Sequence, residues 1–206
     1  MEKQHIISNT IAFVKETLEG AEGGHDWFHI QRVLNNAQLI ARSENVNLFI
    51  VSLGALLHDI ADAKFYDGDE TVGPKMARAF LEDHIINYIS FKSSLEEGEK
   101  FSSPELDVIQ DADRLDAIGA IGIARCFNYG GFKNRAMYDP EIEPNLNMTK
   151  EEYKKSSAPT INHFYEKLLL LKDKMNTKTG QQIAADRHTY MESFLAQFYG
   201  EWNGEK

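Results

Sequence analysis

Apolar residues recur at intervals of three and four along much of this chain, which is the spacing of one face of an α-helix. The first pattern covers residues 7–18 and is followed by Gly20, a residue type common at helix C-termini. The second pattern covers residues 30–41 and follows the letters HDWFH. Both patterns predict amphipathic helices. Their apolar positions are Ile7, Ile11, Val14 and Leu18, then Ile30, Val33, Leu34, Ala37, Ile40 and Ala41.

Three more helices are predicted in the middle of the chain. One begins near Leu48, with Asn45 or Asn47 as its N-cap. A shorter helix follows, and Pro74 fits only in its first turn. The third is a long helix over residues 106–127 that is preceded by the letters SSPE, a capping-box start with proline in the first turn.

Apolar spacing in the last part of the chain predicts two further helices, over residues 161–175 and 183–202. Residues 91–102 and 131–147 lack a helical pattern, and we interpret both segments as mobile loops, either of which is a candidate to close over a substrate. No alternation of apolar and polar residues is long enough to predict a strand. We therefore expect an all-α fold in the form of a single multi-helix bundle.

Composition and charge limit the class of protein. A chain of 206 residues with 42% hydrophobic content can bury one sizeable core, and we expect one domain over residues 1–206. The net charge of −10 argues against a broad nucleic-acid or anionic-membrane footprint. No apolar run approaches the ~20 residues of a membrane span, and the N-terminal letters lack a signal peptide, so we expect a cytoplasmic protein. The single cysteine, Cys126, fits a small core residue.

A histidine and an aspartate stand side by side at the end of the third helix, in the letters LGALLHDIADAK. Leu56 and Leu57 belong to an apolar run of the kind that is buried, and His58 and Asp59 follow directly. A buried polar group without a partner costs roughly 1–3 kcal/mol. A divalent cation shared by both side chains would satisfy them. Pairing with backbone groups at the helix end is the alternative.

The long helix places three aspartates on an apolar background. At about 100° per residue, Asp113 falls on the same stripe as Leu106 and Ala120, with Asp116 one turn away. Asp111 falls nearly opposite. A carboxylate within a core stripe is a second position that needs a charged partner.

These positions combine with the start of the second helix into one candidate site. His29, His58, Asp59 and Asp113 would supply two imidazoles and two carboxylates from three helices, which suits one divalent ion (Mn, Fe, Co, Ni, Zn or Mg). With neutral imidazoles, the ion and its ligands are formally neutral together, so an anionic phosphate can approach without repulsion. The alternative is that the four side chains are satisfied polar groups of the core.

The order of these residues and their local letters resemble a known family. HDWFHIQRV contains His29, ALLHDIADAK contains His58 and Asp59, and DADRLDAIGAIGIAR contains Asp113. This ordered set resembles the HD-domain superfamily of metal-dependent phosphohydrolases, in particular its small stand-alone bacterial members, over nearly the whole chain. The resemblance implies an all-α, HD-domain-like hydrolase domain that binds a metal through these four residues and hydrolyses a phosphoester or phosphoanhydride.

Charged residues near the ligands are candidates for catalysis and substrate binding. Asp62 lies one turn beyond His58 if the helix continues, where it can orient a ligand or accept a proton from the attacking water. Lys64, Arg32 and Arg114 are candidates for binding phosphate oxygens, and Lys64 is also a catalytic candidate. We place Lys64 first because the family pattern often has a lysine shortly after the His-Asp pair. The alternative for all four is a solvated charge.

The remaining polar positions near the helices are assigned less specific roles. Asp26 is interpreted as a helix cap or as a partner of the His29 ring. His84 is a candidate ligand for a second metal ion, which the sequence leaves open. His163 and His188 are interpreted as partners of core polar groups.

The resemblance implies a small nucleotide as the substrate, because similar stand-alone members include enzymes that release pyrophosphate from nucleoside triphosphates. We expect hydrolysis of a nucleoside or deoxynucleoside triphosphate to the monophosphate and pyrophosphate. A nucleoside 5′-monophosphate phosphatase, a phosphodiesterase and a non-hydrolytic metal- or nucleotide-binding regulatory module are the alternatives. No nucleic-acid or membrane partner is expected, while the sequence leaves open a homodimer, the native metal, and the base and sugar preference.

Overall fold

A computed structural model describes residues 3–21, 24–61, 66, 69–80, 102–149 and 156–206. The described residues form helices joined by turns and irregular segments, with no strand among them, which confirms the all-α prediction. By its internal packing the chain divides into two compact units, Met1–Asp113 and Arg114–Lys206, and each is described by itself. The single domain stays a prediction.

The described residues of the first unit form four helices and most of a fifth. They are α1 (Lys3–Thr17), α2 (Trp27–Ala41), α3 (Leu48–Leu57), α4 (Val72–Phe80) and α5 (Pro104–Asp116), of which the last three residues extend into the second unit. Both α1 and α2 pack against α3. The fully buried apolar residues of these three helices are Val14, Ile30, Val33, Ala37, Ile40, Val51, Ala55 and Leu56. Of the stripe predicted for α1, only Val14 is fully buried, and Ile7, Ile11 and Leu18 are half-buried.

Side-chain caps fix the ends of these helices. The Asp26 carboxylate accepts a hydrogen bond from the backbone N–H of His29 at 2.9 Å, and Asn47 caps α3 through the N–H of Phe49. Ser103 directly precedes Pro104, the first residue of α5, and its hydroxyl accepts a hydrogen bond from the backbone N–H of Leu106. Each cap satisfies an otherwise unpaired donor of the first helical turn. The capping prediction for α3 is confirmed, and Asp26 acts as a cap. The capping box predicted for α5 forms only in part, because Ser103 caps the helix while the Glu105 carboxylate accepts from the backbone N–H of Asn47.

The second unit contains α6 (Gly119–Phe132), α7 (Asn162–Glu166), a 3₁₀ helix (Leu168–Lys174) and α8 (Lys178–Trp202). The α6 and α8 helices pack together, and the 3₁₀ helix contacts both α7 and α8. Three phenylalanine rings, Phe127, Phe164 and Phe194, meet with centroids about 6 Å apart, a separation that favours aromatic pairs. Residues 133–147 are irregular, as predicted, whereas 131 and 132 belong to α6. Residues 91–101 of the other predicted loop lie outside the described residues.

The prediction of one continuous helix over residues 161–175 is wrong, because this segment forms two separate helices. Lys167 has φ −144° and ψ −57°, which ends α7 before the 3₁₀ helix begins. The apolar spacing nevertheless gave the correct burial, since all five positions are at most 6% exposed. These positions are Ile161, Phe164, Leu168, Leu171 and Met175.

The long helix predicted over residues 106–127 is also two helices. It breaks between Asp116 and Gly119, where Gly119 has a φ of +75°, a conformation that favours glycine. Ala120 is exposed, so the predicted stripe does not continue past the break. Within α5 the burial also differs from the prediction, because Asp111 is fully buried while the side chain of Asp113 is 32% exposed.

Replacing Gly119 with alanine is expected to destabilise the second unit by about 1–2 kcal/mol, because the positive φ is strained for any L side chain. The new Cβ would also lie 2.9 Å from the side chain of Arg187. Gly131→Ala is the matched control, since its Cβ would meet nothing within 4 Å and its helical position tolerates alanine. Urea unfolding should separate the two variants, and equal stability would contradict this explanation of the helix break.

Burial keeps His163 neutral. Its pKa is lowered to about 3 by burial first and then by the positive charges of Lys167 and Arg135. The unfolded imidazole has a pKa near 6.5, so protons bind the unfolded state first as the pH falls, and stability is lost between about pH 6.5 and 3. His163→Gln should abolish about 2 kcal/mol of the stability lost between pH 6.5 and 4.5, measured by urea unfolding. The exposed His5→Gln serves as the control, and a His163 variant that follows the wild-type profile would contradict a neutral buried ring.

Two further sequence expectations concern the thiol and the membrane. Cys126, predicted to be a small core residue, is half-buried, and burial raises the pKa of its thiol to about 12, so little of it is present as the reactive thiolate. No helix in the described ranges combines the length and apolar character needed to cross a membrane.

Candidate metal site

The end of α3 delivers His58 in a fixed orientation. His58 is the C-cap residue, and its ring Nδ1 donates to the carbonyl oxygen of Ala55 at 2.9 Å. A histidine held through Nδ1 in this way presents Nε2 to a ligand, an arrangement typical of metal-binding imidazoles. The ring is nearly inaccessible, with 4% of its side chain exposed.

The first turn of α2 delivers His29 to the same place. The Asp26 cap holds the backbone N–H of His29, and the side chain is 3% exposed. Its Nε2 lies 3.2 Å from Nε2 of His58, so two ring nitrogens from different helices point at one location.

Asp113 completes a group of three. Its Oδ1 lies 3.6 Å from Nε2 of His29 and 3.6 Å from Nε2 of His58. Ligand atoms about 2.1 Å from a shared ion lie roughly 3.0–3.5 Å from one another, so these separations fit a common cation. Among the described residues, His29, His58 and Asp113 form a group able to hold a metal ion. On α5, a hydrogen bond from the Asn36 amide to the carbonyl of Ala112 ties the backbone next to Asp113 to α2.

Asp59 lies beside this group, paired with a residue that the sequence did not single out. Its Oδ2 is 3.8 Å from Nε2 of His29 and only 2.6 Å from Nδ1 of His25. The only sequence signal for His25 is its position directly before the Asp26 cap and four residues before His29. The four-residue ligand set, including Asp59, stays a prediction.

Charges within the site shift two pKa values in opposite directions. Burial alone would raise the pKa of Asp59, but the hydrogen bond from His25 and the positive charges of His25, His58 and His29 lower it below its usual value. Burial alone would lower the pKa of His58, but its hydrogen bond and charge interaction with Asp113, aided by Asp59 and the Ala55 carbonyl, raise it to about 8. A metal that binds Nε2 of His58 therefore competes with a proton for this nitrogen.

The other candidate residues are placed as follows. Asp62, Lys64 and His84 lie outside the described residues. Arg32 is half-buried on α2, and Arg114 donates to the carbonyl of Lys174 at 2.7 Å within the second unit. Their assignment to substrate binding stays a prediction.

Two polar residues of the second unit, Asp116 and His188, form ion pairs within that unit. Asp116, one turn beyond Asp113 in sequence, forms an ion pair with Arg125 at 2.8 Å. His188 pairs with Glu192 at 3.3 Å on α8, and because the Glu192 side chain is 60% exposed, this partner is not the core polar group that the sequence analysis predicted.

Comparisons with known proteins add independent evidence. The HD-domain family profile matches residues 27–118, which include all four predicted ligands. The chain is 37% identical to the protein YpgQ of Bacillus subtilis over 90% of its own length and 88% of that protein.

Solved structures are similar over nearly the full chain. One is an HD-superfamily hydrolase from Bacillus thuringiensis, with 44% identity, a TM-score of 0.76, and coverage of 98% of this chain and 99% of that one. Another is B. subtilis YpgQ in complex with ADP, with 33% identity, a TM-score of 0.73, and coverage of 98% and 97% respectively.

Proposed function

Because the chain belongs to the HD-domain superfamily, we propose that it is a divalent-metal-dependent phosphohydrolase acting on small nucleotides. One observation supports this most strongly: Nε2 of His29, Nε2 of His58 and Oδ1 of Asp113 converge within 3.6 Å of one another. Two imidazoles and a carboxylate suit Mn²⁺, Fe²⁺, Co²⁺, Ni²⁺ or Zn²⁺. Asp59 is the proposed fourth ligand.

A divalent ion held by these residues would lower the pKa of a water molecule and polarise a phosphoryl oxygen. The protein's own contribution is to hold the ligands in place through the Ala55 carbonyl and the Asp26 cap. Asp62 is the proposed acceptor for the proton of the attacking water, and Lys64 is proposed to assist it by neutralising phosphate charge. Arg32 and Arg114 are the further proposed phosphate-binding residues.

A nucleotide is the proposed substrate for two reasons. The similar YpgQ structure is a complex with ADP, so a relative over nearly the full chain binds a nucleotide. The net charge of −10 disfavours long polyanions, which need an extended basic track. A small phosphate ester requires only the metal and a few cationic side chains.

The proposed reaction is conversion of a nucleoside or deoxynucleoside triphosphate to the monophosphate and pyrophosphate. A triphosphate offers the most phosphate oxygens to the metal and to cations such as Lys64, so it gains most from their combined charge. Nucleoside 5′-monophosphate phosphatase activity is the second candidate reaction, and it would release nucleoside and phosphate from the same site.

Product identification tests the proposal. Ribo- and deoxyribonucleotides are incubated with the protein and Mn²⁺, Co²⁺, Ni²⁺ or Mg²⁺, and the products are separated by ion-exchange chromatography. Equal amounts of monophosphate and pyrophosphate from a triphosphate are expected. Nucleoside and phosphate from a monophosphate would favour the second reaction, and the absence of turnover by metal-loaded protein would favour a nucleotide-binding module.

A further inference from the structure

A hydrogen bond links His25 to the predicted ligand Asp59. The distance from Nδ1 of His25 to Oδ2 of Asp59 is 2.6 Å, and the two side chains are 21% and 17% exposed. An ionised carboxylate only accepts hydrogen bonds, so Nδ1 of His25 is the donor. The short separation is typical of a charge-assisted hydrogen bond.

We propose that His25 is a positioning residue that holds the Asp59 carboxylate in the orientation needed for metal binding. This proposal rests on the metal-dependent function proposed above. Oδ2 of Asp59 already lies 3.8 Å from Nε2 of His29. A carboxylate oxygen has lone pairs in more than one direction, so it can accept from His25 and still face a cation.

The backbone explains why Asp59 needs such a partner. The α3 helix ends at Leu57, so Asp59 lies two residues beyond its last helical residue. His25 instead precedes the Asp26 cap, which bonds to the N–H of His29 at the start of α2. The pair therefore connects the segment after α3 to the start of α2, the helix that supplies His29.

Two other roles for His25 predict different behaviour. If the pair only stabilises the fold, its loss lowers the free energy of unfolding and leaves the metal affinity of folded protein unchanged. If His25 is itself a ligand, an asparagine in its place cannot restore metal binding, because a side-chain amide is a poor ligand for Co²⁺. A positioning role requires only a hydrogen-bond donor, and the Nδ2 amide of asparagine occupies nearly the place of Nδ1 of histidine.

The test compares His25→Leu and His25→Asn with wild type. Co²⁺ affinity is measured by competition with a chelator, and the visible absorption spectrum of bound Co²⁺ reports the ligand geometry. His25→Leu should bind Co²⁺ about 10–100-fold more weakly with an altered spectrum, as is typical when a partner of a metal ligand is lost. His25→Asn should return the affinity to within about threefold of wild type and restore the spectrum.

His188→Leu is the matched control, because His188 also pairs with a carboxylate, that of Glu192, but on α8. It should keep wild-type Co²⁺ affinity. Wild-type affinity in folded His25→Leu, or no recovery in His25→Asn, would overturn the positioning role. Co²⁺ binding that follows this pattern without hydrolysis of any nucleotide would overturn the proposed function alone, and a wild type that binds no Co²⁺ would overturn both.

Discussion

Replacing His58 with alanine is expected to remove the bound metal and lower nucleotide hydrolysis about a thousandfold. The His58 ring is 4% exposed, is fixed by the Ala55 carbonyl, and lies 3.2 Å from the ring of His29. Loss of one imidazole leaves only two of the three converging ligand atoms, those of His29 and Asp113. A metal contributes several kcal/mol of transition-state stabilisation, and about 4 kcal/mol corresponds to a thousandfold in rate.

Elemental analysis of purified protein and initial rates at saturating metal measure this effect. His5→Ala on the exposed face of α1 provides the control and should keep both metal and activity. His58→Ala protein that retains one equivalent of metal and wild-type turnover would contradict the assignment of His58.

Replacing Asp113 and Asp111 with alanine is expected to affect different properties, metal binding in the first case and stability in the second. Asp113→Ala should lose the metal and activity, while the metal-free protein should lose less stability than Asp111→Ala, because the Asp113 side chain is 32% exposed. Asp111→Ala should keep the metal and lose about 2–4 kcal/mol of unfolding free energy, because a fully buried carboxylate leaves its partners unsatisfied when it is removed. Asp111 is not among the predicted metal ligands, so its replacement is expected to affect stability and not metal content.

Metal content and urea unfolding are measured on both variants in parallel. Asp111→Asn keeps the size and part of the hydrogen bonding of the side chain, so it provides a folded alternative if the alanine variant does not fold. Metal loss in Asp111→Asn together with metal retention in Asp113→Ala would reverse the assignment of the two aspartates.

Local sequence patterns predicted the helices that position the site. The apolar stripe of α2 is buried as predicted from Ile30 to Ile40, and Asn47 caps α3 as expected. In α1 only Val14 of the predicted stripe is fully buried. These features depend on residues three or four apart, which a sequence displays directly. The comparisons also confirm the resemblance to the HD-domain superfamily that was based on the order of His29, the His-Asp pair and Asp113.

The predictions failed where a backbone conformation interrupts a periodic pattern. Gly119 was interpreted as a glycine inside a helix, but its positive φ begins a new helix beside the side chain of Arg187. Apolar periodicity alone cannot show this close approach of Gly119 to Arg187, because the two residues are 68 positions apart in sequence. The burial of Asp111 was missed for a related reason: α5 is buried on more than one face, so a single stripe does not separate its inner from its outer positions.

The pairing of His25 with Asp59 was also not visible in the sequence. The two residues are 34 positions apart and meet through the packing of α2 against α3. His25 has no apolar stripe and no capping role to mark it, and its neighbour Asp26 provides the cap. Only the folded structure shows that His25 pairs with Asp59 while its neighbour Asp26 caps α2 through the N–H of His29.

Metal add-back tests the central claim most directly. Protein stripped with a chelator is titrated with Mn²⁺ while hydrolysis of a nucleoside triphosphate mixture is followed by product chromatography. We expect no hydrolysis without metal and a rise in rate that saturates near one ion per chain, with His58→Ala inactive throughout. Full activity in the stripped protein, or no turnover of any nucleotide once one ion is bound, would contradict a metal-dependent phosphohydrolase.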